Sequence, residues 1–369
     1  MSALSVAVDY DAITNNVAAL AALAPTAKVM AVVKADAYGH GLIPAARAAR
    51  RGGAHFLGVA QPSEAIALRD AGDEGNIFTW LYGPEVPIDD LVTRGIDLSV
   101  SSPDVLGEMI CAAREGRGIP RVHICVDTGL GREGVPMASL EALLSLASAA
   151  QDEGLIRIVG MWSHLAWADK PGHPTVDSQA TNFREALLMA SGMDVDIELA
   201  HLANSACTLT RPDLHFDMVR PGIAIYGLPP VEDPQGQNFG LVAAMSVTSS
   251  LALVKELPGG HGVSYGHEYI TPYPTSVGLV TAGYADGVFR AAGGVAEVAV
   301  RGRRYPIAGR VCMDQFVIDL GPATEATAGD LVTLIGPGGP SARDWATAAG
   351  TIDYEIVCRF GGLRPKTGR

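Results

Sequence analysis

The sequence predicts an α/β chain, a TIM (β/α)8 barrel followed by a mainly β C-terminal domain. Three observations carry that prediction. From Lys28 onward, short β-branched runs alternate with segments of helical periodicity, the pattern of parallel βα units. Eight such runs occur up to Gly227, enough to close a barrel of the usual ~250-residue size. Beyond Gly227 the chain turns to short strands separated by Gly and Pro.

The predicted strands are KVMAVV (Lys28 to Val33), HFLGVA (His55 to Ala60), IFTWL (Ile77 to Leu81), IDLSV (Ile96 to Val100), VHICV (Val122 to Val126), IVGMW (Ile158 to Trp162), IELAHL (Ile197 to Leu202) and GIAIYG (Gly222 to Gly227). Between them, helical periodicity covers Leu42 to Arg51, Ser63 to Ala71, Asp104 to Arg114, Leu140 to Ala150 and Ser178 to Met189, several opened by Ser or Asp in cap position. A doubly wound sheet uses the same alternation, so periodicity alone leaves both folds open.

LPPVEDPQGQN reads as a linker and divides the chain into a barrel domain over 1–233 and a β domain over 234–369. In the second, MSVTSSLALV, SVGLVTAGY, EVAVRG, RYPIAGRV, FVIDLG and LVTLIG read as strands, and helical pattern returns only at SARDWATAAG. With 369 residues, 48% of them hydrophobic, and a mean hydropathy of +0.21, the chain can fill two cores.

A net charge of −13 with no basic stripe argues against a nucleic-acid partner. No run approaches the ~20 apolar residues of a spanning helix, and MSALSVAVDYDAI lacks a basic n-region before an apolar one; no membrane association and a cytoplasmic location are expected. The five cysteines form no CxxC pair and fit reduced thiols.

In a barrel the chemistry lies at the carboxyl ends of the strands. Lys34 ends the first in VVKADAYGHG, where a lysine can form a Schiff base with a carbonyl cofactor once burial lowers its pKa. Alone, such a lysine is ordinarily an exposed charge. The other strand ends supply what a phosphorylated pyridine aldehyde requires. Arg220 leads into Gly222 and Ile223, whose bare N–H groups suit a phosphate. HLANSA brings His201, Asn204 and the Ser205 hydroxyl, WSHLAWAD brings His164, and VDTGLGREG brings Arg132. His164 and His201 equally read as structural histidines. The nine histidines show no HExxH spacing, so no catalytic metal is predicted. GLGREG matches GxGxxG literally, but Pro136 follows at once and no helix opens on its last glycine, which removes the dinucleotide reading.

Taken in order, VVKADAYGHG, HLANSA, RPGIAIYG, GVSYGHEY, AGYADG, GRVCMDQ and DYEIVCRF resemble the alanine racemase family of barrel-type (fold type III) enzymes. The resemblance spans nearly the whole chain. It implies dependence on pyridoxal 5'-phosphate, interconversion of L- and D-alanine for peptidoglycan, and a homodimer whose active sites each use both subunits. It implies Lys34 as the Schiff-base lysine and one of two bases, with Tyr265 as the other. Tyr38, Ser205, Gly222, Ile223 and Tyr354 are implied at the phosphate, with Asn204 beside them, Arg220 at the pyridine nitrogen and His164 against Tyr265. Arg132 and the Met313 backbone are implied at the substrate carboxylate, and Tyr284, Arg290, Asp169, Arg310 and Ile352 at the entrance.

The chemistry agrees with those roles. Two enantiomers present the α-proton on opposite faces, so two bases are needed. A guanidinium beside the pyridine nitrogen keeps its proton and leaves the ring a weaker electron sink, which limits transamination. A tyrosine needs help to act as a base near neutrality, and a positive or donating His164–Arg220 chain provides it. Taken alone, Tyr265 reads as a packing residue.

One residue departs from the family pattern. Where many relatives carry a carbamylated lysine that positions the loop arginine, this chain has Cys125. A thiol cannot reproduce a carbamate, and the expectation is an anion such as chloride, or a water network, beside Arg132. Racemisation of serine or another small amino acid remains an alternative substrate reading, and a non-catalytic cofactor carrier remains an alternative from another class. The long β domain argues against the carrier, and Arg220 against a decarboxylase of the same barrel class.

Overall fold

The computed structural model describes residues 4–83, 86–232, 238–362 and 366–368. The chain divides into two compact units, one of Asp11–Ala37 with Leu42–Val242, the other of Met1–Tyr10 with Tyr38–Gly41 and Ala243–Arg369. Residues 233–237 of the predicted linker, which include the 233/234 boundary, lie outside the described residues.

The first strand, β1 (Ser5–Val8), belongs to the second unit, although the sequence reading counts residues 1–9 with the barrel. An isolated apolar strand does not announce its partner. After it, α1 (Tyr10–Leu23) buries Ile13, Val17 and Leu20, a helical stripe the sequence reading passes over. The barrel unit then runs β2 (Lys28–Val32), α2 (Lys34–Tyr38), α3 (Leu42–Arg51), β3 (Phe56–Val59), α4 (Pro62–Asp70), β4 (Asn76–Thr79), α5 (Ile88–Thr93), β5 (Asp97–Val100) and α6 (Pro103–Arg114). It continues through β6 (Arg121–Asp127), the short β7 (Val135–Pro136), α7 (Met137–Asp152), β8 (Arg157–Trp162), α8 (Pro174–Gly192), β9 (Leu199–His201), α9 (Ser205–Thr210) and β10 (Met218–Val219).

These strands pair in parallel in the order β10-β2-β3-β4-β5-β6-β8-β9. Hydrogen bonds from Asp217 N to Ala200 O and from Arg220 N to Ala203 O link the two ends, so the barrel is nearly closed. This resolves the choice between a barrel and a doubly wound sheet. Its core packs Met30, Phe56, Phe78, Val159, Trp162, Leu199 and Met218. The eighth strand differs from expectation: it is Met218–Val219, and Ile223–Tyr226 forms a 3-10 turn closed by Gly227 at φ 79. A short apolar run does not distinguish strand from turn by period alone.

The second unit is mainly β. The long strand β11 (Met245–Leu257) alternates buried and half-buried residues along its first half. It pairs with β1 and with β18 (Leu331–Ile335), and from Leu251 onward, through a bulge between Leu251 and Leu253, with β14 (Thr275–Val280). The hairpin β12 (Gly262–Val263) and β13 (Tyr269–Ile270) lies between β11 and β14 in sequence. The sheet is completed by β15 (Glu297–Val300), β16 (Arg303–Pro306), β17 (Phe316–Gly321) and β19 (Lys366–Gly368). Two helices follow β18, α10 (Ala342–Ala349), as predicted, and α11 (Asp353–Gly362), which the sequence reading does not anticipate. Trp345 and Phe360 meet edge to face at 5.8 Å in the core of this unit. No helix among the described residues is long and apolar enough to cross a membrane.

Candidate active site

Lys34 leaves β2 into a turn of left-handed helix. Ala35, Asp36, Ala37 and Tyr38 all have φ between 52° and 55°. For residues other than Gly this costs roughly 1–2 kcal/mol each, so the surroundings must impose it. Glu64 does so in part: its Oε1 accepts from Ala35 N at 2.5 Å and Asp36 N at 3.4 Å, while its Oε2 accepts from Gln61 N at 3.1 Å. Asp36 Oδ1 accepts from Leu42 N at 2.7 Å and fixes the exit.

Around Lys34 the barrel mouth is aromatic. Its Nζ lies 5.6 Å from the centroid of Trp80, and Trp80 lies 6.2 Å from Trp162. The Arg220 guanidinium lies 5.1 Å from the Trp162 ring, so two aromatic faces carry two cations. Arg220 is held rigidly. Nη1 donates to His201 O at 2.7 Å and Nη2 to Ser163 O at 2.7 Å, with His164 Nδ1 3.4 Å away. Burial pulls its pKa down to about 10, which leaves it charged at neutrality. His164 is pushed well below the usual histidine range by burial and by the positive charges of Arg220, Arg132 and Lys34. Of the two forms expected for the His164–Arg220 chain, the neutral, donating one fits: Nδ1 accepts from Arg220 and Nε2–H is left to donate.

Ser205 Oγ accepts from Gly222 N at 2.8 Å and from Ala224 N at 3.3 Å, so its own proton is available outward. The Gly222 N–H is therefore engaged and not bare, a correction to the sequence reading, while Ile223 opens the 3-10 turn whose first N–H groups lack intrahelical partners. Asn204 uses its side chain to cap α9 through Cys207 N at 3.1 Å, which is a structural duty. Arg132 is exposed and paired with Glu133, a carboxylate the sequence reading did not single out. Cys125 is buried, and burial holds its thiol far above the usual range, so it is neutral. Asp169 is exposed.

The remaining predicted residues belong to the β unit. Tyr38 is buried, its pKa raised by burial, with its ring 6.0 Å from Tyr354. Tyr284 N and Ala285 N donate to Cys312 O and Met313 O, each at 3.0 Å. Only a glycine fits before Tyr284: a Cβ on Gly283 would lie 2.1 Å from Met313 O. Ser264 Oγ donates to Arg310 O at 2.7 Å, and Arg310 pairs with Glu268. Tyr265, Met313 and Ile352 are 70%, 54% and 60% exposed, and Arg290 is exposed as well. Among the described residues no group of His, Cys, Asp and Glu is arranged to hold a metal ion.

Comparison with known proteins follows the same two-part division. Residues 8–230 match the N-terminal domain of alanine racemase and residues 244–367 its C-terminal domain. The alanine racemase of Beutenbergia cavernae is 50% identical over 97% of this chain and 96% of its own length, and that of Streptomyces coelicolor is 50% identical over 97% and 94%. The crystal structure of alanine racemase from D-cycloserine producing Streptomyces lavendulae superposes with a TM-score of 0.96 at 47% identity, covering 100% of this chain and 97% of that one. With both domains matched and half the residues shared over nearly the full length, the chain belongs to the alanine racemase family.

Proposed function

We propose that this protein interconverts L- and D-alanine with pyridoxal 5'-phosphate, supplying D-alanine for the cell wall. The observation that carries the reading is Lys34 at the barrel mouth together with a charged Arg220 locked against Trp162. The donor set fits the cofactor: an amine for its aldehyde, a fixed guanidinium for its ring nitrogen, and the Ser205 hydroxyl with the Ile223 N–H for its phosphate. Tyr38 and Tyr354 are proposed at the phosphate as well. When bound, the cofactor withdraws electrons from the α-carbon and makes its proton labile.

Lys34 then holds or takes the α-proton on one face, and Tyr265 does so on the other. Arg132 and the Met313 backbone bind the substrate carboxylate, and His164, neutral, donates toward the tyrosine. Tyr284, Arg290, Asp169, Arg310 and Ile352 form the approach. In a single chain Tyr265 is 70% exposed, which suits a residue delivered to a second copy, so the working unit is a homodimer in which the partner subunit's Tyr265 completes each site. The cytoplasm is the proposed location.

The test is α-deuterium exchange of each alanine enantiomer by the cofactor-loaded protein and its Lys34→Ala and Tyr265→Phe variants. Each variant is expected to lose exchange on one face. Full exchange of both enantiomers by both variants overturns the two-base assignment, and faster turnover of serine than of alanine overturns the substrate.

A further inference from the structure

The interior of a barrel of this kind is ordinarily filled by apolar layers. Here a line of charged and polar groups crosses it. Asp97 at the start of β5, His123 in β6, His201 at the end of β9 and Arg220 after β10 are each 6% exposed or less. Phe56, Phe78 and Trp162 wall the two imidazoles, with His123 centred 4.7 Å from Phe78 and His201 stacked on Trp162 at 6.2 Å. Gly160 in β8 makes room: a Cβ there would lie 2.5 Å from His123 Nδ1.

The contacts connect end to end. Arg121 grips Asp97 through Nε to Oδ1 at 2.7 Å and Nη2 to Oδ2 at 3.1 Å. Asp97 Oδ2 lies 3.2 Å from His123 Nε2, His123 Nδ1 lies 2.9 Å from His201 Nε2, and His201 Nδ1 lies 3.3 Å from Arg220 Nη1. The two ends decide the direction of every bond between them. A guanidinium only donates, so His201 Nδ1 must accept and its proton must sit on Nε2. That proton goes to His123 Nδ1, which leaves the His123 proton on Nε2, facing a carboxylate that only accepts. Asp97 stays ionised: burial opposes it, but the hydrogen bonds from His123 and Arg121 together outweigh burial and hold its pKa below the usual range. The chain therefore has one consistent proton arrangement, and reversing it would set an N–H of His201 against an N–H of Arg220.

We infer that Asp97, His123 and His201 are positioning residues for Arg220, forming one directional hydrogen-bond chain that holds both histidines as neutral Nε2–H tautomers and the guanidinium in a single orientation. The buried carboxylate at the far end faces the guanidinium through two polarised rings, which favours its charged form. The consequence for turnover rests on the racemase reading; the proton arrangement does not.

The test uses the cofactor-loaded enzyme labelled with nitrogen-15 at histidine. His123 and His201 are expected to show a single neutral Nε2–H tautomer near neutral pH, each signal assigned by its loss in His123→Gln or His201→Gln. An Nδ1–H tautomer or a protonated ring at either position overturns the inference. Asp97→Leu removes the terminal acceptor, and two changes are expected. The His123 signal loses its single-tautomer form, and kcat for alanine falls about tenfold or more with KM within about threefold. Unchanged tautomers with unchanged kcat in that variant mean that the chain does not position Arg220. If the variant does not fold, the unsubstituted enzyme's spectrum still decides. A wild type with the expected tautomers but no alanine turnover refutes the racemase reading alone.

Discussion

Arg132 and Glu133, adjacent in sequence, grip one another along a two-pronged edge, Nε to Oε2 at 2.8 Å and Nη2 to Oε1 at 2.6 Å. The pairing leaves Arg132 Nη1 without a hydrogen bond among the described residues, so one edge of the fork is fixed and Nη1 keeps its donors. The Glu133 charge also raises the pKa of the Cys125 thiol and of Arg220, so its field reaches the position where many relatives carry a carbamate. This predicts that a carboxylate of the chain itself, in place of chloride or water, holds Arg132 for its proposed role.

With Arg132 in its proposed role at the substrate carboxylate, Glu133→Gln should raise KM for alanine several-fold with kcat little changed, because the guanidinium is no longer held. The pair is partly exposed, so stability should move by no more than about 0.5 kcal/mol. Steady-state kinetics at varied chloride check both points: wild-type KM should not depend on chloride, and a strong dependence would restore the anion.

His201 makes stability sensitive to acid. Burial, reinforced by Arg220 and His123, lowers its folded-state pKa well below the ordinary ~6.5, so between those values the unfolded chain binds the extra proton. Its contribution is complete above about pH 6.5 and declines as pH falls below that, by up to about 1.4 kcal/mol per pH unit. Thermal midpoints should drop between about pH 6.5 and 5, less steeply in His201→Asn; a wild-type midpoint that rises on acidification would contradict the neutral assignment.

At Ala35 the sign of a routine substitution should invert. Alanine to glycine in a right-handed helix costs about 1 kcal/mol, but Ala35 sits at φ 54, where glycine escapes a penalty of roughly 1–2 kcal/mol. After the entropy glycine adds to the unfolded chain, Ala35→Gly should be neutral or stabilising by up to about 1 kcal/mol. A lowered melting temperature would show that the left-handed turn is not strained there.

Gly283→Ala should be severe. The new methyl meets backbone, Met313 O at 2.1 Å and Met313 C at 2.3 Å, and no side chain can swing aside. Displacing Met313 and the Tyr284 turn by even a fraction of an ångström should lower kcat/KM at least about tenfold, with a lower melting temperature. Retention of full activity would mean that Met313 does not bear on the substrate.

Much of this architecture is legible in the residues, and the gaps have physical causes. Strand ends betray themselves in a barrel because polar residues appear abruptly after apolar runs, which is how Lys34, His164 and Arg220 stand out. The left-handed turn after Lys34 leaves no trace, since none of Ala35, Asp36, Ala37 and Tyr38 is the Gly or Asn that normally marks such backbone. Asp97 and His123 sit inside strands, where a polar residue in an apolar run is easily taken for a solvent-facing position; only the barrel's curvature turns it inward. Trp80 reads as ordinary strand filler until Lys34 is found beside it. Glu133 follows an arginine in a glycine-rich loop, and local sequence does not say that the two pair.

The membership of β1 in the β unit has a consequence for synthesis. Val6 and Val8 are fully buried against a strand, β11, that begins at Met245. On a ribosome adding about 5–20 residues per second, the nascent β1 waits on the order of ten seconds to a minute for its partner. Throughout that interval the entire barrel sequence emerges while the first strand remains an unpaired edge. The β unit is thus the last part of the protein able to form, and β1 is a strand made early whose partner comes late.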